Sequence, residues 1–251
     1  MTQSQKWQTL LVPGITAVVG AGGKTTVLKK LVEYAGRLGY PRMVTTTTKL
    51  YQSQVDRWYP YVGMDMVLGE QHVMRAISEG HVGAWFGSEE GTKVTSILPT
   101  TIDAMSELHP NWYIFVEADG AKEKWIKAPK EEEPIVPIKT TQTIGLVNMG
   151  ILGEPLEEEH VHRVELVEQL LGVKRGTLIT PSLLAKLILH KNGLFQHALG
   201  KKIVFLTGLD DVSDKDLQTL LDALSGTFVD AIYMADGYYE SCEIRKILYC
   251  K

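Results

Sequence analysis

The chain has 251 residues, of which 44% are hydrophobic and 22% charged, with a formal net charge of −4. This is the composition of an ordinary soluble globular protein with a sizeable core, and the lack of a basic excess removes support for a nucleic-acid or anionic-membrane partner. The two cysteines, Cys242 and Cys250, fit neither a CxxC pair nor zinc spacing, so a reducing, cytoplasmic location is expected. No uncharged apolar stretch reaches the roughly 18 residues of a membrane-spanning helix. Lys6 and the apolar run up to Val19 have the outline of a signal peptide, but Pro13 and Gly14 interrupt the run and Gly-Lys-Thr-Thr follows it. The segment reads instead as a strand and a loop.

In chain order, residues 15–19 read as a buried strand. Beyond the glycines that follow, Val27, Leu28, Leu31, Val32, Ala35 and Leu38 recur at helical spacing, and Gly39 and Pro41 supply the stop. Four consecutive β-branched threonines place a second strand at residues 43–48. Further strands are expected at 65–68, 81–86, 112–117, 143–147, 203–207 and 228–233, and helices at 71–79, 101–108, 161–171, 182–191 and 214–224. The Lys-, Glu- and Pro-rich residues 120–137 read as a long connection, either functional or simply solvated. The alternation predicts an α/β protein with a mainly parallel sheet. It is read as one domain over residues 1–251, with the part after about residue 140 as a candidate smaller lobe.

Phosphates need dense positive potential at close range, and backbone N–H groups supply it only where no side chain blocks the approach. The stretch Gly20-Ala21-Gly22-Gly23-Lys24-Thr25-Thr26 lies between a strand and a helix, the context such a loop requires. Gly20, Ala21, Gly22, Gly23 and Thr26 are read as the cradle, and the helix N-terminus as its dipole. Lys24 would reach the outer phosphates, and the Thr25 hydroxyl would ligate Mg²⁺. Val18 stands where the full GxxxxGK[ST] pattern has its first glycine, which leaves the shorter GxxGKTT. A glycine turn with an exposed lysine is the alternative. The ligands implied are a nucleoside triphosphate and Mg²⁺, and the fold implied is a three-layer P-loop NTPase-like one.

The strand over 112–117 ends in Glu117-Ala118-Asp119-Gly120, and the period of two puts both carboxylates on one side if it stays extended. Glu117 is expected to hold the magnesium, and Asp119 to orient a water or the nucleophile of a second substrate. A strand ending in a polar turn is the alternative. Thr45, Thr46, Thr47 and Thr48 followed by Lys49 would close the second strand at the carboxyl edge of the sheet, where open α/β sheets bind ligands. Lys49 is therefore a catalytic candidate for neutralising charge on a transferred phosphoryl group. A threonine-rich strand with no functional reason weighs equally.

These stretches resemble the selenium-dependent molybdenum hydroxylase accessory proteins of the YqeC type. The similar residues are the loop from Gly20 to Thr26, the Thr45 to Leu50 stretch, and Glu117-Ala118-Asp119-Gly120-Ala121-Lys122 with Lys127-Ala128-Pro129 and Glu133-Pro134 after it. Glu159-His160-Val161-His162-Arg163 and Thr207-Gly208-Leu209-Asp210 complete the set, so the resemblance spans most of the chain. It implies a P-loop NTPase fold and a role in preparing the selenium-containing centre of molybdenum hydroxylases. A hydroxylase or its other accessory factors would be the partners, with neither nucleic acid nor membrane. Trp125-Ile126 before Lys127, and Val164 after Arg163, depart from the prolines expected there. Thr207-Gly208-Leu209-Asp210 lacks the Asn-Lys of a guanine-reading motif, which favours ATP over GTP. His160, His162 and Arg163 stand between a substrate- or metal-binding role and a solvated helix N-terminus behind Glu157, Glu158 and Glu159. The expected function is an ATP- or NTP-dependent, Mg²⁺-requiring NTPase or phosphotransferase. The alternatives are a nucleotide-gated binding module and a Mur-like ATP-dependent ligase.

Overall fold

The computed structural model describes residues 1–58, 68–237 and 241–250. Its internal contacts define two compact units. The first comprises Met1–Val18, Val27–Gly120 and Ile135–Gln142, and the second Val19–Thr26, Ala121–Pro134 and Thr143–Lys251.

The first unit opens with α1 (Gln3–Gln8) and most of β1 (Gly14–Gly20), then most of α2 (Lys24–Arg37), followed by β2 (Arg42–Thr46), β3 (Leu50–Tyr51) and α3 (Gln52–Val55). It continues through α4 (Gly69–Ser78), β4 (Gly83–Ala84), β5 (Glu89–Glu90), β6 (Lys93–Val94), α5 (Pro99–Leu108) and β7 (Tyr113–Glu117). Every residue of β1 is buried, as an apolar strand covered on both faces must be. β1 pairs in parallel with β7 from Gly14↔Tyr113 to Val18↔Glu117, and β2 pairs with the other side of β7 from Arg42↔Tyr113 to Thr46↔Glu117. Val18, Glu117 and Thr46 therefore stand abreast at the carboxyl ends of three strands. α1 was not anticipated. Thr2 caps it, and Trp7, 1% exposed, stacks on Tyr34 of α2 at 5.9 Å.

The second unit contains β8 (Ile126–Lys127), most of β9 (Thr140–Asn148), β10 (Val161–His162), α6 (Val164–Leu171), α7 (Pro181–Leu189), β11 (Lys201–Thr207), α8 (Asp214–Leu224), β12 (Ala231–Asp236) and β13 (Glu243–Tyr249). β9, β11, β12 and β13 are hydrogen-bonded neighbours in that order. β11 and β12 run parallel, with Phe205 stacked on Tyr233, and β13 closes the edge antiparallel. The first residues of β9 belong to the other unit, where Gln142 Nε2 donates to Leu10 O at 2.7 Å and to Thr16 Oγ1 at 2.9 Å. The protein is thus α/β with a large, mainly parallel sheet flanked by helices, compatible with the three-layer P-loop NTPase-like fold expected. Among the described residues no helix is long and apolar enough to cross a membrane.

Several boundaries differ for local reasons. The strand expected at 81–86 shrinks to Gly83–Ala84, because the chain turns away and Gly87 N–H donates to Thr95 O. The strand expected at 228–233 starts at Ala231, because Thr227 bridges Leu224 O and the Val229 N–H in a side-chain turn. The helix expected at 161–171 begins at Val164, since Val161–His162 is extended and Arg163 is left-handed. Except for Leu68, the strand expected at 65–68 lies outside the described residues.

Within the first unit Asp103 of α5 ties the helix to the approach of β9. Its carboxylate, on a residue 8% exposed, accepts from Ile138 N–H at 3.2 Å and Lys139 N–H at 2.8 Å. Asp103→Ala leaves both donors unmatched and is expected to cost about 2 kcal/mol. Asp103→Asn keeps one acceptor oxygen and should cost less. Urea denaturation midpoints of the three proteins test this.

Candidate phosphate-binding site

The glycine loop belongs wholly to the second unit. Gly20, Gly22 and Gly23 have φ of 89°, 88° and 123°, where L side chains are strained. A Cβ on Gly20 would collide with Leu146 O, and one on Gly22 would lie 2.5 Å from Asn148 Cβ and 3.0 Å from Trp125 O. The loop is fastened by three hydrogen bonds: Ala21 N–H to Leu146 O at 3.1 Å, Thr207 Oγ1 to Gly22 O at 2.7 Å, and Lys24 Nζ to Gly20 O at 2.8 Å. Asn148, at the end of β9, donates its N–H to Trp125 O at 3.1 Å and accepts from Gly150 N–H at 2.9 Å. The loop backbone is therefore set by its neighbours before any ligand arrives.

Its donors suit a phosphate. Among the described residues the N–H groups of Gly22 and Gly23 make no backbone hydrogen bond. Lys24, 5% exposed, opens the 14-residue helix α2, whose N-terminal dipole favours an anion. Thr25 and Thr26 follow in the first turn, both half-buried. Backbone N–H groups, a helix N-terminus, an ammonium and a hydroxyl are the parts a nucleotide phosphate and its Mg²⁺ require.

Glu117, Asp119, the threonines of 45–48 and Lys49 lie in the first unit. Glu117 is 6% and Asp119 2% exposed, at and just beyond the end of β7. The threonines of and beyond β2 hold the backbone here. Thr46 Oγ1 donates to Glu117 O at 2.8 Å, Thr47 N–H donates to the same oxygen at 3.1 Å, and Thr47 Oγ1 donates to Ile135 O at 2.6 Å. Thr45 Oγ1 is buried and has no hydrogen-bond partner among the described residues. Lys49 is exposed, and its Nζ pairs with Glu90 at 2.6 Å, next to the small three-stranded sheet of β3, β6 and β5.

A second polar cluster occupies the second unit. β8 and β10 pair in parallel, with Trp125 just before β8 and His162 opposite Lys127. The Trp125 ring stacks on His160 at 3.9 Å. Arg163, left-handed with φ 65°, grips Glu133 with two hydrogen bonds of 2.6 and 2.7 Å, and Lys127 Nζ reaches the same carboxylate at 3.2 Å. Burial alone would raise the Glu133 carboxyl, but the hydrogen bond from Arg163 and the charges of Lys127 and Arg163 hold it down at about 2. Burial, then the charges of Arg163, Lys127 and Lys122, push the His162 imidazole down to about 4, against a weaker pull from Glu133. Gln196 Nε2 donates to the carbonyls of Lys130, Glu131 and Glu133, which pins the connection the sequence marked as long.

Of the three residues read as a candidate helix N-terminus, Arg163 is the N-cap of α6, His162 lies in β10 and His160 precedes it, all three half-buried. Asn148, Trp125 as a contact of the loop, and Gln196 were missed. Asn148 ends a strand at a carboxyl edge, which was the one available signal. The other two are long-range neighbours with no local pattern.

Gly22→Ala meets both a positive φ and the Asn148 wall, and should lose more than about 2 kcal/mol of stability. Gly153→Ala, at φ 84° with nothing within 4 Å of the added carbon, should lose about 1 kcal/mol. Guanidinium unfolding of the two variants checks the ordering.

The acid dependence follows from the two shifted groups. The folded chain resists protonating His162 until about pH 4, while the unfolded imidazole takes a proton near 6.5, so stability falls as pH drops through that window. Glu133 contributes stability above its ordinary 4.5, and that contribution is lost as pH falls towards 2. His162→Gln should flatten the upper part of this decline and leave the lower part. Urea midpoints from about pH 8 to about pH 3 read both.

The family model described as YqeC protein matches residues 16–165, which include the loop, Glu117, Asp119, Glu133 and Arg163. The uncharacterized protein YqeC of Escherichia coli (strain K12) is 27% identical over 227 residues, covering 89% of this chain and 88% of that protein. With a family match over more than half its length, this chain belongs to the YqeC family.

Proposed function

We propose that the chain binds ATP, or another nucleoside triphosphate, with Mg²⁺, and acts as an NTPase or phosphotransferase in the maturation of selenium-dependent molybdenum hydroxylases. The observation that supports it is the loop itself: three positive-φ glycines with Lys24 folded across them onto Gly20 O at the start of a long helix. A bound Mg²⁺ would supply charge neutralisation between the phosphates. Lys24 exchanges the Gly20 carbonyl for the outer phosphates, and the N–H groups of Gly22 and Gly23 take phosphate oxygens. Thr25 and Glu117 are the residues proposed to hold the metal. Asp119 is proposed to orient the nucleophile. Lys49 would have to leave Glu90 to act on a phosphoryl group. The pathway part of the proposal, with a hydroxylase or its accessory factors as partners, rests on the resemblance carried by Glu117-Ala118-Asp119-Gly120-Ala121-Lys122.

Calorimetry with ATP and GTP tests the binding. Lys24→Ala should weaken nucleotide affinity about tenfold or more, and Thr25→Ala should reduce the Mg²⁺ dependence of phosphate release. Unchanged affinity in Lys24→Ala would remove the loop from the mechanism. Phosphate release with selenophosphate or a selenium-free hydroxylase added tests the pathway, and stimulation by neither counts against it.

A further inference from the structure

We propose that His162 and Lys122 receive a tetrahedral oxyanion, as a free ion or a phosphate monoester, which is the co-substrate of the nucleotide site; this rests on the nucleotide reading above. The positions of the charges come first. Lys127 and Arg163 are both anchored on Glu133, Lys127 with a side chain 2% exposed and Arg163 with one 17% exposed, so they supply a fixed positive field rather than mobile contacts. His162 stands opposite Lys127 in the β8–β10 ladder and next to Arg163 in the chain. It is half-buried, whereas Lys122 is exposed. These two can reach a ligand, and the charges of Lys122, Lys127, Arg163 and Glu133 act on the imidazole.

Backbone strain is concentrated at the same place. Lys122, Glu123 and Arg163 are three of the four non-glycine residues with positive φ among those described. The fourth, His197, has its Nε2 2.7 Å from Glu131 O and so touches the same connection. Such conformations persist only where the surroundings over-determine them, and they gather at binding and catalytic sites. The Glu133 ion pairs account for Arg163 and Lys127. Lys122 and Glu123 are the central residues of a turn that Lys124 N–H closes on Ala121 O at 3.0 Å, and Lys124 Nζ donates to Glu159 O at 3.1 Å, which seats that turn against the segment leading to His162.

The link to the nucleotide loop runs through Trp125. Its carbonyl accepts from Asn148 N–H and would stand 3.0 Å from a Cβ on Gly22, and two residues later the chain reaches Lys127. A ligand at His162 is thus coupled to the loop by a short run of backbone. The ligand's shape follows from the donors. A planar carboxylate suits a fork of parallel N–H groups, and the fork of Arg163 is already spent on Glu133. Point donors approaching from separate elements, an ammonium and an imidazole N–H, suit a tetrahedral anion. An arriving anion also offsets the cationic field that, after burial, keeps His162 neutral, so binding and proton uptake at His162 are coupled.

The experiment uses the full chain with ¹³C-labelled histidine, His162→Gln serving to assign the ring signal, and titrates inorganic phosphate and, separately, phenyl phosphate. Either probe should move the His162 signal and raise its titration midpoint by about one pH unit. Tighter binding of phenyl phosphate would identify the monoester as the natural form, and tighter binding of inorganic phosphate the free ion. Lys122→Gly relieves the positive φ while removing the charge, so it should bind the probe about tenfold more weakly at unchanged or higher thermal stability. Lys24→Ala should lose nucleotide binding and keep the His162 response. A His162 signal that ignores both probes, or that titrates with the ordinary histidines, overturns the proposal even if nucleotide binding stands. A response lost in Lys24→Ala and kept in Lys122→Gly overturns it too, because the anion would then sit in the glycine loop.

Discussion

The approach of Gly22 to Asn148 leaves no room for a single added carbon, and the geometry of the candidate site depends on that approach. It fixes where the loop runs as it leaves β1. The same asparagine carries the N–H that holds Trp125 O, so the loop and the entry to β8 are set by one residue at the end of one strand. Thr207, at the end of β11, adds the bond to Gly22 O. The carboxyl ends of two strands thereby shape a loop whose own sequence is mostly glycine. A loop free to choose among many conformations would lose entropy on binding an anion, and neighbours that impose the conformation in advance reduce that loss.

This changes what the glycines mean. Read locally, they admit phosphate by having no side chains. In the structure Gly20 and Gly22 are also demanded by Leu146 and Asn148, so packing alone requires them, while Gly23 is required by its φ of 123°. Lys24 and the N-terminus of α2 therefore favour an anion here more than the glycine content does. The buried Lys24 ammonium donates to the Gly20 carbonyl at 2.8 Å, at a helix N-terminus where an anion is favoured.

The parts of the fold legible in the sequence are those whose signal is local. The apolar run of β1, the glycines and the helical period of α2 follow one another within a single βα unit, and β11 and α8 carry equally plain patterns. The parts that were not legible depend on partners distant in the chain. β8 and β10 have two residues each and exist because they pair with one another. Arg163 interrupts an apparently continuous helical pattern because its guanidinium is held by Glu133, thirty residues earlier, in a backbone conformation that arginine rarely adopts. β13 mixes charged and apolar residues in the manner of a sheet edge, and no turn residues frame it clearly. The site divides the same way: the loop was visible, and the residues that shape it were not.

Glu133 shows how one carboxylate can organise a segment that has almost no regular structure. It is partly buried, which disfavours its charge, yet Arg163 and Lys127 reverse that preference. Satisfying it therefore draws together β8, the turn before α6 and the connection between Lys127 and Pro134. Gln196 then closes the connection from the other side by donating to three of its carbonyls. Burial first, and then the charges of Arg163, Lys127 and Lys122 outweighing that of Glu133, hold the imidazole beside them down at about 4, so it stays neutral at physiological pH. A neutral imidazole can accept or donate a hydrogen bond according to what arrives, whereas a histidine pre-charged by its own carboxylate would already be committed. Burial, together with the cations gathered on Glu133, thus leaves His162 uncommitted.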